Sequence, residues 1–354
     1  MRRIILAAIS IGVLAAAPPT PAQAERKVTK LSDGVYEIQH AQSGGGNTTV
    51  IIGDRQVFVV DTGFLPSAAR EDIAQIRQWT DKPVSFVLNT HFHNDHNLGN
   101  RAYMDAFPAL TVIAQVETKK EMDRFGPGSL MREEKDSYGI RQTVKKMLDS
   151  GKTEDGKALT EGEKKQLKDL LARQATMIEE LQSLKFQSAT LTFEHGFSVD
   201  LGNREVQVKF LGRGNTPGDA VAYLPKEKIV VAGDLVDLPL PNILDGYPSE
   251  WTRTLQKLAD LDATTIVPGH GPILHDKTYV YLLRDFLQSA VDQLNEKLRQ
   301  TAPAMFQKVD DVKSSIDLTP FRQRFAGNDQ EVAEAFDDVA ARLIKLVFDE
   351  ARLR

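Results

Sequence analysis

The chain has 354 residues, with 44 basic and 49 acidic side chains and no cysteine; 41% of it is hydrophobic and 26% charged. That balance is the soluble globular average and excludes intrinsic disorder, a collagen-like repeat and a disulfide scaffold. Without thiols, any metal has to be held by His, Asp, Glu, Asn or main-chain oxygen, which excludes thiolate zinc ribbons, most iron–sulfur clusters and cysteine catalysis.

The N-terminus joins a basic start (Arg2, Arg3) to an apolar run from Ile4 to Ala17 and a Pro-rich stretch ending in Ala22-Gln23-Ala24, a small-x-small cleavage pattern. This reads as a signal peptide over residues 1–24 that directs the protein to the periplasm or out of the cell. The run is shorter than the ~20 residues that cross a bilayer, and no later segment is long and apolar enough, so no membrane span is expected after cleavage. Losing two arginines and no acid takes the formal charge from -5 to -7. Nucleic acid is therefore not an expected partner, because a phosphate backbone attracts basic surfaces.

VYEIQ (35–39), TTVIIG (48–53) and QVFVV (56–60) read as short strands separated by Gly-rich turn signals. A helix is expected around Ser67 to Trp79 and a strand over Val84 to Leu88. From about 115 to 186 the chain is charged and helical in period, with Leu167, Leu170, Leu171, Met177, Ile178, Leu181 and Leu184 on one apolar stripe. Thr160 and Glu163 match a capping box, and Gly126-Pro127-Gly128 and Gly151 to Gly156 are expected to break the helices. This insert reads as a packing element, with a substrate lid or an oligomer contact as its alternative roles. Strands resume with EVQVKFL, AVAYL, KIVVAGD and ATTIV, and helices follow from Lys277 to about Arg299 and from about Gln330 to Leu353. FVVDTG (58–63) and VVAGDL (230–235) echo one another, each placing an aspartate near the end of an apolar strand, where functional groups gather in layered α/β proteins.

The strand at 84–88 runs into Asn89-Thr90-His91-Phe92-His93-Asn94-Asp95-His96-Asn97-Leu98-Gly99. On an extended segment His91 and His93 project to the same side, while Asp95 and His96, near the turn into the next helix, reach a second point beside the first. Imidazole and carboxylate at such density suit two adjacent divalent metal positions, because burying them without coordination or hydrogen bonds would be costly.

The pattern T-H-x-H-x-D-H-x-x-G at Thr90 to Gly99 resembles the signature of the metallo-β-lactamase-fold hydrolases. Further pieces follow in the expected order: Asp61 in VVDTG, GNTPGD at 214–219, Asp234 in VVAGDL and His270 in VPGHGP. The resemblance implies an α/β fold, a four-layer αββα sandwich over 25–276 that carries the insert, with a C-terminal helical extension at 277–354 packed on it. It also implies that His91 and His93 bind a first metal, that Asp95, His96 and His270 bind a second, and that Asp234 bridges them. Zinc is the expected cofactor, one ion or two, with iron or manganese as alternatives. Asp61 is expected to orient a ligand histidine without touching metal.

One residue departs from the family pattern. Asn215 stands where a histidine usually precedes T-P-G, and an amide oxygen is the weaker zinc donor. Asn215 either coordinates weakly, or hydrogen-bonds a metal-bound water, or makes no contact, so a one-metal enzyme with the second position filled first is allowed. Asp219, His195, His40 and His275 read as structural residues, and Arg213 as either an anion binder or a surface charge. In DLPLPNILDGYPSEW (237–251), Leu238, Ile243, Tyr247 and Trp251 are candidates to line an apolar substrate pocket.

A bound divalent ion lowers the pKa of water toward ~7 and polarises a carbonyl, so the expected activity is hydrolysis of a small β-lactam, lactone, ester or thioester, with Asp95 orienting the nucleophile or moving its proton. The alternative is a non-catalytic periplasmic protein that binds a metal or cofactor.

Overall fold

In the computed structural model, which describes residues 26–40, 45–300 and 308–352, two sheets pack face to face. The expected signal segment at 1–24 lies outside the described residues. The first sheet runs in the order β1 (Lys27–Ser32), β2 (Val35–Gln39), β3 (Thr48–Ile52), β4 (Val57–Val60), β5 (Val84–Leu88), β6 (Thr111–Gln115), β7 (Leu191–Phe193). It is antiparallel as far as β4 and parallel from β4 to β7. The second contains β8 (Gly196–Asp200), β9 (Glu205–Phe210), β10 (Ala220–Leu224), β11 (Ile229–Asp237) and β12 (Thr265–His270), with only β11 and β12 parallel.

Strand alternation distributes the core. Phe58 and Val60 on β4 meet Ala220, Ala222 and Leu224 of β10 between the sheets, while Val57 and Val59 turn outward onto Ile73 and Ile76 of α1 (Pro66–Trp79) and Tyr103 of α3 (Asn100–Ala106), which follows the one-turn α2 (Asn94–Asn97). On the far side Val221 and Tyr223 face α6 (Pro248–Asp260). Trp251, Leu255 and Leu258 of α6 share one apolar cluster with α7 (Thr278–Gln300), α8 (Asp310–Lys313), α9 (Thr319–Ala326) and α10 (Gln330–Arg352). The result is the expected four-layer αββα sandwich, its outer layer on the second sheet thickened by the C-terminal helices.

The echo between residues 58–63 and 230–235 is structural. Each segment belongs to a β-α-β unit, β4–α1–β5 and β11–α6–β12, in which the two strands pair in parallel and the helix opens on a proline, Pro66 or Pro248. Functional groups in such units collect at the carboxyl ends of the strands.

Between β6 and β7 lie α4 (Val116–Ser150) and α5 (Glu161–Ser183), the latter opened by a complete capping box between Thr160 and Glu163. The expected break at Gly126-Pro127-Gly128 is absent: α4 runs unbroken for 35 residues and ends at Gly151, whose φ of 65° suits a helix C-terminus. Gly126 serves close approach instead, since a Cβ there would fall 2.3 Å from the Phe186 ring. The single expected stripe divides in two. Leu167, Leu170 and Leu171 pack on Val144 and Met147 of α4, whereas Met177, Leu181 and Leu184 pack on Phe64 and Leu98, beside the histidine motif. Among the described residues no helix is long and apolar enough to cross a membrane.

Candidate metal centre

The carboxyl ends of the two parallel pairs converge. β4 exits into Asp61, β5 into His91, His93, Asp95 and His96, β11 carries Asp234 and β12 ends on His270. His91 Nε2 lies 3.0 Å from His93 Nδ1 and 3.4 Å from Asp234 Oδ2. Beside them, His270 Nε2 lies 2.9 Å from Asp95 Oδ2 and 3.3 Å from His96 Nε2, which is 3.0 Å from Asp234 Oδ1. Ligand atoms of His91, His93 and Asp234, and again of Asp95, His96 and His270, lie within 4.8 Å of one another. Asp234 thus offers one oxygen to each group. It is buried, and neither oxygen is satisfied by a hydrogen bond.

The outward nitrogens decide what the inward ones can do. His96 Nδ1 donates to Asp61 Oδ2 at 2.8 Å. The Thr90 hydroxyl donates to the same Asp61 oxygen at 2.7 Å, so it accepts from His91 Nδ1 at 3.0 Å. His93 Nε2 donates to Asp245 Oδ2 at 3.3 Å. With the outer nitrogen of each neutral ring carrying the proton, three bare lone pairs point at the centre. Buried lone pairs opposed at such distances repel unless a cation or a proton lies between them, so the donor set fits a divalent metal. Proton affinities agree. Burial opposes charge on His96, yet Asp234, Asp95 and Asp61 hold it well above the ordinary imidazole range. His270, also opposed by burial, is raised to about 9 by Asp234 and Asp95. Burial lowers His91, and Asp245 is lowered by the His93 hydrogen bond and by the charge of Arg132 on α4.

Two glycines make room for the cluster. A Cβ on Gly46 would fall 2.2 Å from Cε1 of His96, and one on Gly269 1.9 Å from Asp234 Oδ1. The strap around Gly46 is pinned to both sides, with Gly46 N donating to the Asp95 carbonyl at 2.9 Å and Asn47 N to that of Gly269 at 2.7 Å.

Asn215 is fully buried, and neither end of its amide has a hydrogen-bond partner in the protein. Its loop is tied to the motif through Ala220 N and the Thr90 carbonyl, 2.8 Å apart. An unsatisfied buried amide costs about 1–3 kcal/mol, so a water, an ion or a substrate group is its natural partner. Asp219 accepts from Thr216 N and Oγ1, both at 2.8 Å, and is a structural turn residue whose carboxyl burial pushes up to about 7. Arg213 is held by Glu250 and stacks 4.2 Å over Tyr247. His195 lies with these three along a separate cavity of about 860 Å³. His40 is buried 3.1 Å from Asp72, and His275 is exposed.

The expected substrate pocket needs correction. Ile243 and Trp251 are 1% and 0% exposed and belong to the core under α6, where Trp251 Nε1 donates to the Leu235 carbonyl at 3.2 Å. The helix starts at Pro248, and its first turn points Trp251 inward. Leu238 and Tyr247 remain half-exposed. Two acids were not anticipated. Asp245, the partner of His93, sits in an irregular loop with no local signal. Asp237 lies three residues beyond Asp234 in the apolar run of β11, where a second buried acid was the available clue. It is 2% exposed with both oxygens unsatisfied, and burial and the Asp234 charge hold its carboxyl well above the ordinary range.

The sequence model of the metallo-beta-lactamase superfamily matches residues 42–270. The linear primary-alkylsulfatase of a Pseudomonas species is 26% identical over 232 residues, 61% of this chain and 39% of that protein. The type 2 metallo-beta-lactamase of Bacillus cereus is 29% identical over 82 residues, 22% of this chain and 32% of that one. The chain therefore spans well under half the length of these relatives. The metallo-beta-lactamase from Pontibacter korlensis superposes with a TM-score of 0.52 at 19% identity, over 75% of this chain and 99% of that one, a likeness of fold. With both β-α-β units and all the clustered histidines inside the matched region, the chain belongs to the metallo-beta-lactamase superfamily.

Proposed function

We propose that the protein is a metal-dependent hydrolase that opens a small carbonyl compound: a β-lactam, lactone, ester or thioester. The observation that carries this reading is the convergence of three imidazoles, each with its outer nitrogen held, on the two oxygens of Asp234. In it, His91, His93 and Asp234 hold a first divalent ion and Asp95, His96, His270 and Asp234 a second, with zinc the ion best suited to the donors and iron or manganese as alternatives. When bound, such an ion supplies a Lewis acid and water acidified to near neutrality.

The chain's own groups do the rest. Asp61, through Thr90 and His96, fixes the inward lone pairs of two rings, and Asp245 fixes that of His93. Asp95 is 28% exposed at the mouth, beside His270, and is the carboxylate placed to take a proton from the nucleophile and return it to the leaving group. Asn215 contributes an amide to the ion, to water or to a substrate oxygen. The basic start and cleavage pattern of residues 1–24 support a periplasmic or secreted location.

A second reading, cleavage of a sulfate ester, is favoured by the alkylsulfatase similarity over 61% of the chain. A panel of a chromogenic β-lactam, lactones, thioesters, esters and alkyl sulfates, with His96→Ala as control, tests both. Turnover of one class that the substitution abolishes supports the hydrolase and selects the reading. Metal-loaded protein inert across the panel overturns it in favour of a binding protein.

A further inference from the structure

The side chain of Asp237 is not used by the packing around it; the group it interacts with is the Asp234 carboxyl of the centre. The hydroxyl of Tyr279 on α7 donates to its main-chain carbonyl, and Leu238 N donates to the His270 carbonyl at 3.1 Å, so the backbone of the strand end is clamped while the carboxyl group is left over. Asp237 and His270 are partners in the parallel register of β11 and β12. A carboxyl oxygen of Asp237 and ligand atoms of Asp234 and His270 lie within 4.8 Å of one another. Both of its oxygens are buried without a hydrogen-bond donor, a cost that a bound cation at this position would offset.

We propose that Asp237 is a further protein donor to the second cation position, and that this extra carboxylate biases the position toward an oxygen-seeking divalent ion of the manganese(II) or iron(II) class. The inference rests on the reading of the cluster as a metal centre. Asp95, His96, His270 and Asp234 already supply the four donors that zinc prefers. A fifth protein donor that is a carboxylate favours ions with higher coordination numbers and oxygen-rich shells.

The test uses the full chain stripped of metal, titrated with Mn²⁺ followed by the electron paramagnetic resonance of free and bound ion, and separately with Zn²⁺ against a chelator. Asp237→Asn is isosteric and replaces an unsatisfied buried carboxyl with a neutral group, so the metal-free variant is expected to melt no lower than the wild type. It loses about tenfold or more in Mn²⁺ affinity at one position, on the scale of 10–100-fold for altered metal surroundings, while its Zn²⁺ affinity changes less than about threefold. Asp237→Glu, which keeps the carboxylate, recovers part of the Mn²⁺ binding. Equal losses for both ions, or no loss for either, overturn the role of Asp237 and leave the metal centre standing. A wild-type protein that binds neither ion overturns both.

Discussion

Asp61 reaches the Nδ1 of His96 at 2.8 Å from a left-handed backbone, φ 58°, and with its two oxygens also takes the amide and hydroxyl of Thr90. A non-glycine residue in that conformation is uncommon, and asparagine and aspartate adopt it most readily. One strained residue at the end of β4 thereby sets the orientation of two histidines.

Asp61→Asn keeps the backbone conformation and one acceptor but loses the charge that holds His96 Nδ1–H. Metal affinity is expected to fall about 10–100-fold with little change in melting temperature of the metal-free protein. Chelator competition measures it, and an unchanged affinity in a folded variant removes Asp61 from the centre.

Asp245→Asn should cost less. Asp245 is 55% exposed and its contact with His93 is 3.3 Å, so solvent screens the pair. The expected loss in metal affinity is under about tenfold, clearly smaller than at Asp61. Calorimetric titration of both variants in one buffer gives the order, and a reversed order contradicts the assigned hydrogen-bond geometry.

Gly46→Ala places a methyl group against the His96 ring, and Gly269→Ala places one against the Asp234 carboxylate and the β11 main chain at Gly233 and Asp234. Neither glycine has a positive φ, and the atoms nearest the Gly46 methyl all belong to the His96 side chain, so there secondary structure is expected to persist while bound metal falls. At Gly269 the methyl also comes within 2.8 Å of the β11 backbone at Gly233 and Asp234, so metal is lost together with local strand pairing. Far-UV circular dichroism and elemental analysis of the same sample decide the matter. Full metal occupancy in either variant shows that the cluster relaxes more than close packing allows.

Glu37 supplies a pH dependence away from the centre. It is fully buried on β2, and burial, partly opposed by Thr29 and Lys27, raises its carboxyl from 4.5 to about 7. The folded state then binds more protons than the unfolded chain between these values. The group's contribution is most favourable below pH 4.5, declines as pH rises to about 7, and is constant beyond. The slope is at most ~1.4 kcal/mol per pH unit. Glu37→Gln should gain stability over the wild type progressively from pH 5 to 7, measured by urea unfolding across that range. A gap independent of pH is the contrary result.

Much of the centre could be read locally because its donors are local. His91, His93, Asp95 and His96 share one strand exit and could be grouped from their spacing, whereas Asp61, Asp234 and His270, which each close an apolar run, joined them through the resemblance to the metallo-β-lactamase-fold pattern. The insert was legible through its 3.6-residue period and the Thr160 capping box. Short or half-exposed strands were not: β1, β7 and β8 carry few apolar residues, and their pairing depends on neighbours distant in the chain. Helix α9, short and weakly amphipathic, was missed for a similar reason.

By itself, the amino-acid order determined the layered α/β class, the motif and its chemistry, because periodicity and ligand spacing are properties of adjacent residues. Only the tertiary structure decided that Gly126 admits Phe186 instead of ending a helix, that Ile243 and Trp251 are core, and that Asp237 and Asp245 join the cluster. Each of those outcomes depends on which distant surface a side chain meets, and burial, close approach and shared charge exist only once separate elements have packed together.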